Sequence, residues 1–388
     1  MTTHQMSDEQ VREMVRQRYA AGEIGRAFGC QPGYLGPIGD ERKRPGYEHA
    51  VSNALVGKSG VEATYDAPLR GVDGIQKLVV DKDGNVTGTS GETLPVSGQK
   101  LVLSLDERVQ QVADQALERG IKNARAKLDY RNGGRLHFRA PAGAVVVLEA
   151  KTGRVVAMSS YPSYDPKVFQ GRLTQQQFES RFGESAGSPL TSRATQGQFA
   201  PGSTFKVIST SAAVQAGEAS LGGYFFCGSQ FKAGTAVFRN FDSEAFGTID
   251  LHTALVRSCD TIYYKFGYDL WVRDGGLRPK GTPHEYMVNM AKAWGLGSDT
   301  GIDLPSEASG RIASRDFKKR LYVEMKKVKC ERAKKGYPEV KDASRAAFLK
   351  QLAREFCVDG DRYRAGDAIN FAIGQGDTVV TPLQLATA

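Results

Sequence analysis

One lysine at the head of an otherwise uncharged helix is the feature that most constrains this chain. Pro201-Gly202-Ser203-Thr204-Phe205-Lys206 leads into Val-Ile-Ser-Thr-Ser-Ala-Ala-Val-Gln-Ala, a run without charge that ends at Gly217. Pro and Gly at the entry and Gly at the exit punctuate a helix, and its small, apolar composition predicts burial in a core. A lysine placed there must be desolvated or paired. Ser203 falls in the first turn, where backbone N–H groups lack partners and the dipole favours negative charge. Lys206, three residues on, shares its face. A serine attacks well once a neighbouring base takes its proton, and a desolvated lysine can be that base. The competing reading is a solvent-exposed helix start, with Ser203 as a cap and Lys206 in water, because two fixed positions recur by chance in long chains. The lack of polar neighbours around Lys206 argues against it.

A second element follows: Leu255-Val256-Arg257-Ser258-Cys259-Asp260-Thr261-Ile262-Tyr263-Tyr264. Pro-Gly-Ser-Thr-Phe-Lys followed by Ser-Cys-Asp-Thr-x-Tyr-Tyr resembles the first two active-site motifs of the penicillin-binding proteins, in that family's order. Flanking stretches agree: Ser192-Arg193-Ala194-Thr195, Gly301-Ile302-Asp303-Leu304-Pro305, and Ile373-Gly374-Gln375-Gly376 followed by Thr381-Pro382-Leu383-Gln384-Leu385-Ala386. Earlier, Gly57-Lys58-Ser59-Gly60-Val61-Glu62, Tyr65-Asp66 and Leu69-Arg70-Gly71 are similar to the region before the transpeptidase domain of class B, monofunctional members. The resemblance extends over residues 50–388.

What the resemblance implies is specific. The expected fold is α+β: a penicillin-binding transpeptidase, or serine β-lactamase-like, domain over residues 101–388, with an antiparallel sheet flanked by helices, preceded by a partial β-rich pedestal over residues 1–100. Ser203 would attack the penultimate D-alanine carbonyl of a peptidoglycan stem peptide, Lys206 would take its proton, and Ser258 would relay a proton to the leaving group. Asp260 would orient Lys206 and the substrate. The implied partners are stem peptides, β-lactam antibiotics and membrane-embedded elongation proteins, with the catalytic domain held outside the cytoplasm at the cell membrane. The family's second motif is usually Ser-x-Asn; Asp260 departs from it, as the elongation-type, penicillin-binding protein 2 group does. An ionised Asp only accepts hydrogen bonds, and it favours the charged ammonium, so the resting protonation of Lys206 stays open. A serine β-lactamase or β-lactam sensor, and a non-catalytic cell-wall scaffold, are the competing functions.

The family's third motif, Lys-Thr-Gly or Lys-Ser-Gly, lies well after the second. Lys151-Thr152-Gly153 precedes Ser203 instead, between the β-rich runs Ala144–Leu148 and Arg154–Met158, and reads as a hairpin turn. The resemblance therefore implies that the true third motif lies on a strand beyond Ala388. That strand would supply the second oxyanion donor beside the Ser203 N–H, so an incomplete, poorly active site is expected of the chain as given.

At 388 residues two domains are expected. The net charge of +9 suits an anionic wall or lipid surface, whereas no basic patch interleaved with aromatics points to nucleic acid. Neither a run of about 18 apolar residues nor a signal peptide before Ser7 is found; the family normally carries an N-terminal anchor. Five scattered histidines and five cysteines offer no metal spacing, and no cofactor is expected. Cys259 reads as a small buried thiol, with a Cys227–Cys259 bridge as the alternative and Cys330 with Cys357 as a second candidate pair. Ser7 to Gly22 reads as a short capped helix. Asp106 to Gly120 reads as another, with Val109, Val112, Ala113, Ala116 and Leu117 on one face. Arg315 to Lys335, with ten Lys and Arg, reads as a core-packed helix with a solvated charged face.

Overall fold

The computed structural model describes residues 33–47, 50, 54–130, 136–170 and 173–388. The helix expected between Ser7 and Gly22 lies outside the described residues, as does Cys30. The chain divides into two compact units, one running to Gly197 with Gly301–Ala308, the other Gln198–Thr300 with Ser309–Ala386.

In the first unit, β1 (Leu35–Pro37) pairs antiparallel with β2 (Leu55–Gly57), and two short helices follow, α1 (Gly60–Thr64) and α2 (Asp66–Arg70). Asp66 ties this region together. Its carboxylate accepts from the Gly57 N–H and the Tyr47 hydroxyl, each at 2.8 Å, and pairs with Arg70 at 3.3 Å. β3 (Ile75–Val80) and β4 (Val86–Thr93) form a hairpin, turned where the Asp81 carboxylate accepts from the N–H groups of Asp83 and Asn85. The hairpin β5 (Gly143–Leu148) and β6 (Val155–Tyr161) follows α3 (Glu107–Ala126). Between its strands the Glu149 carbonyl accepts from the N–H groups of Thr152 and Gly153, and Gly153 sits at φ +72°. Lys151-Thr152-Gly153 is a turn, as its neighbours indicated. A capping box of Thr174 and Gln177 then opens α4 (Gln175–Phe182).

α3 differs from its expected face. Val112 is exposed, and the buried residues are Gln110, Ala113 and Ile121. Counting apolar residues alone discards Gln110, yet its amide docks the helix on β6: Nε2 donates to the Met158 carbonyl and Ser159 Oγ, and Oε1 accepts from the Met158 N–H at 2.8 Å.

The second unit holds α5 (Lys206–Gln215), β7 (Tyr224–Cys227), β8 (Gln230–Ala233), β9 (Ala236–Arg239) and β10 (Gly247–Asp250). The helices α6 (Leu251–Val256), α7 (Asp260–Arg273), α8 (Tyr286–Ala293), α9 (Arg315–Lys335), α10 (Ala343–Asp359), α11 (Ala365–Phe371) and α12 (Pro382–Thr387) follow. Its core gathers Phe205, Ile208 and Ala212 around α5, Ile262, Tyr263 and Phe266 of α7, Val288 of α8, and Ile369 and Phe371 of α11. A Cβ on Gly267 would come within 2.6 Å of the Ala368 carbonyl oxygen, so its absence lets α7 and α11 approach closely. Among the described residues the strands pair as two-stranded antiparallel ribbons; β10 lies on β7 and β9 on β8.

Two readings are corrected here. Cys259 is not a free thiol: it is bridged to Cys227, and Cys330 is bridged to Cys357. Nor is α9 packed into the core along its length. Arg315 is its one buried residue, while Val323 and Val328 are exposed. α9 packs instead on α10, through the Cys330–Cys357 bridge and the Tyr322–Phe356 ring contact. Of its apolar stripe Phe317, Leu321, Met325 and Val328, Phe317 alone is half-buried against the core.

Candidate active site

Ser203 sits in a 3₁₀ turn, Gly202–Phe205, immediately before α5. The turn is held from two sides. Its Ser203 carbonyl accepts the Lys206 N–H, and the Gly202 N–H donates to the Gly374 carbonyl at 2.8 Å. Gly374 adopts φ +66°, and a Cβ there would fall 2.4 Å from the Gly202 carbonyl oxygen and 2.6 Å from the Phe205 Cβ. The Ile373-Gly374-Gln375-Gly376 stretch is thus the backbone bed on which the serine turn rests. Just upstream, Phe199 and Val380 exchange backbone hydrogen bonds at 2.9 Å, fixing the approach. Ser203 itself is exposed, and its Oγ makes no hydrogen bond among the described residues.

Lys206, by contrast, is 1% exposed. Its ammonium has three protons to give, and three acceptors take them: the Ser258 carbonyl at 2.7 Å, Ser258 Oγ at 2.9 Å and Asp260 Oδ1 at 2.6 Å. The Tyr263 ring lies 5.4 Å from Nζ. Burial pushes the Lys206 ammonium below the ordinary lysine range, against the opposing pull of the Asp260 carboxylate. Lys206, Ser258 and Asp260 therefore converge, from α5, from the end of α6 and from the start of α7. No Ser203–Lys206 hydrogen bond is made among the described residues, because all three ammonium donors are spent on the second motif.

Ser258 reaches Lys206 because of how α6 ends. The Ser258 N–H donates to the Leu255 carbonyl and the Cys259 N–H to the Ala254 carbonyl, each at 3.0 Å, with Ser258 at φ +54°. This is the Schellman ending, whose left-handed position is usually glycine.

One part of the site, Asn240, escaped sequence reasoning, and a second, the Cys227–Cys259 bridge, was only its alternative reading. Asn240, 6% exposed between β9 and the following turn, accepts at Oδ1 from the Asp260 N–H (2.7 Å) and the Thr261 N–H (3.2 Å). Its Nδ2 donates to the carbonyls of Gly228 (3.1 Å) and Glu244 (3.0 Å). The Cys227–Cys259 bridge ties β7 to the residue between Ser258 and Asp260. Both reach the motif from distant chain positions, and only the bridge left a trace in the sequence, as a pair of cysteines.

The geometry defines a class: a serine at a helix head, a buried lysine one turn on, and a second serine and a carboxylate closing on that lysine. The Penicillin binding protein transpeptidase domain matches residues 143–388 and the Penicillin-binding Protein dimerisation domain residues 5–103. The chain belongs to the penicillin-binding protein transpeptidase family. It is 28% identical over 371 residues to the peptidoglycan D,D-transpeptidase MrdA of Acinetobacter baumannii, covering 94% of this chain and 44% of that protein. With MrdA of Escherichia coli it shares 26% identity over 335 residues, 86% of this chain and 42% of the other. The complex of penicillin-binding protein 2 with MreC from Helicobacter pylori aligns with a TM-score of 0.67 at 23% identity, over 92% of this chain and 54% of that one. The chain thus spans less than half the length of these curated relatives.

Proposed function

We propose that this protein is a peptidoglycan D,D-transpeptidase of the elongation type, with Ser203 as the acylated nucleophile, Lys206 as its base, Ser258 as proton relay and Asp260 as the group that orients Lys206. The observation that carries the reading is the burial of Lys206 against Ser258 and Asp260. A lysine held at 1% exposure with a depressed pKa is costly unless its neutral form has use. In the reaction, Lys206 first gives up one ammonium proton to solvent, and the neutral amine then takes the Ser203 proton as Ser203 Oγ attacks the carbonyl of the penultimate D-alanine. The terminal D-alanine leaves with a proton passed through Ser258, and the amine of a neighbouring stem peptide resolves the acyl-enzyme into a cross-link. β-Lactams acylate the same hydroxyl. Residues 1–100 serve as the pedestal and residues 101–388 as the catalytic domain. The relatives are peptidoglycan D,D-transpeptidases and one structural neighbour is a complex of penicillin-binding protein 2 with MreC, which supports action outside the cytoplasm with an MreC-like partner. Among the described residues no helix is long and apolar enough to cross a membrane.

The test is acylation of the full-length protein by a fluorescent penicillin. Ser203 is expected to carry the label by peptide mass mapping, and Ser203→Ala to abolish it. Labelling that survives Ser203→Ala overturns the nucleophile, and rapid hydrolysis of nitrocefin would favour a β-lactamase.

A further inference from the structure

Helix α7 starts without a cap of its own. Cys259 stands at the N-cap position, makes no side-chain cap bond, and is consumed by its bridge to Cys227. The first N–H groups of α7 nevertheless have an acceptor, and it comes from 20 residues away: Asn240 Oδ1 takes both the Asp260 and the Thr261 N–H. The other end of the same amide is anchored to the Gly228 and Glu244 carbonyls, so all four hydrogen-bonding positions of the side chain are filled. The Asn240 N–H adds a bond to the Ser229 carbonyl at 3.0 Å, seating the residue in the loop that carries Cys227.

We infer that Asn240 is a positioning residue for the acylation site: it caps α7 from outside the helix and sets where the Asp260 carboxylate meets Lys206. This rests on the function proposed above and adds a residue to it. The bond from Asp260 to Lys206 is 2.6 Å long and starts on the first residue of α7. A rotation of that residue therefore changes the bond directly. Thr261, the next residue, is fixed by the same amide and by its own hydroxyl, which donates to the Gly228 carbonyl at 2.9 Å. Asn240 and Thr261 thus share one carbonyl, and the α7 start is clamped to the loop rather than to its own helix.

The groups facing Lys206 are Asp260 and Tyr263 from α7 and Ser258 from the end of α6, and Asp260 is the charged one. Its field raises the Lys206 pKa while burial lowers it. Asn240→Ala leaves the Asp260 and Thr261 N–H groups without their acceptor and lets Asp260 drift from Lys206. Asn240→Asp keeps both acceptor bonds, gives up the two donor bonds, and places a second negative charge at the α7 start.

The experiment measures fluorescent-penicillin acylation across pH for the full-length protein and both variants, with amide hydrogen exchange at Asp260 and Thr261. For Asn240→Ala we expect acylation slowed by about tenfold to a hundredfold, faster exchange at both amides, and an acidic limb displaced to lower pH. Asn240→Asp should restore protection of the two amides and displace the limb the other way, even if its melting temperature falls. A merely structural asparagine would lower stability in both variants while leaving the limb of the folded fraction in place, and that result overturns the inference. So does unchanged exchange at Asp260 and Thr261 in Asn240→Ala. If the full-length protein is not acylated at Ser203, the proposed function fails, while the exchange measurement still decides whether Asn240 holds the α7 start.

Discussion

Replacing Ser258 by glycine and by alanine separates what its hydroxyl does from what its backbone costs. Helices α5, α6, α7 and α8 all end in the same pair of bonds, from the left-handed residue and the one after it. Gly217, Gly275 and Gly295 occupy the left-handed position after α5, α7 and α8, at φ +76°, +85° and +82°. After α6 the same position is Ser258, at φ +54°. A side chain there costs about 1–2 kcal/mol, and Gly recovers this less about 0.5–1 kcal/mol for its freer unfolded chain. Both variants remove Oγ and with it one of three acceptors of a buried ammonium, a loss of about 1.5–3 kcal/mol for a charged hydrogen bond. Ser258→Ala should therefore be the less stable of the two by about 1 kcal/mol, or about 2–4 °C in melting temperature for a unit of this size. Differential scanning calorimetry measures the gap, and penicillin acylation should fall alike in both, since they lack the same hydroxyl. An alanine variant as stable as the glycine variant would refute the argument that Ser258 is strained. A glycine variant that acylates at the parental rate would refute the argument that the hydroxyl is what the strain retains.

Other perturbations test other parts of the same reasoning. Gly374→Ala drives a methyl into the Gly202 carbonyl and Phe205; it should cost about 1–3 kcal/mol and slow acylation beyond what the lost stability explains, as urea unfolding and acylation kinetics together would reveal. Lys206 has a folded-state pKa below its unfolded value of 10.5, so between those two values the unfolded chain binds more protons and stability rises with pH. Denaturation across that alkaline window should show the parent gaining on Lys206→Met, and parallel profiles would count against a buried, paired ammonium. Removing the Cys330–Cys357 bridge, which closes a loop of 27 residues, should cost about 3–4 kcal/mol on the chain-entropy estimate. The loss should be confined to α9 and α10, visible as faster exchange there with acylation unchanged.

How much of this was legible in the sequence depended on whether the cause of a feature lay near it in the chain. The helix at Lys206, its glycine exit at Gly217 and the turn at Lys151-Thr152-Gly153 are written locally, by composition and turn chemistry, and were readable. The convergence of Lys206, Ser258 and Asp260 was not a local property; it was reached through a resemblance, and the structure supplies its physical basis. Where local pattern misled, a polar side chain had taken an apolar one's work. Gln110 docks α3 on β6 through its amide, so the apolar stripe that included Val112 pointed to the wrong face. Asn240 is the same lesson in the site itself: a buried amide in a loop carries no periodicity and no motif, yet it replaces the cap that α7 lacks. The arrangement also explains why Asp260 stands where the family more often has Asn. An asparagine could give Lys206 one neutral acceptor, whereas the Asp260 carboxylate, 2.6 Å from Nζ, partly offsets the burial of the ammonium. Penicillin should therefore acylate Asp260→Asn faster below the parental limb, because without the carboxylate the buried Lys206 loses its proton at lower pH. Stopped-flow acylation of Asp260→Asn at pH values on either side of the parental limb tests this: a faster rate below the limb agrees with it, whereas a slower rate at every pH means that the carboxylate does more than hold the proton on the lysine.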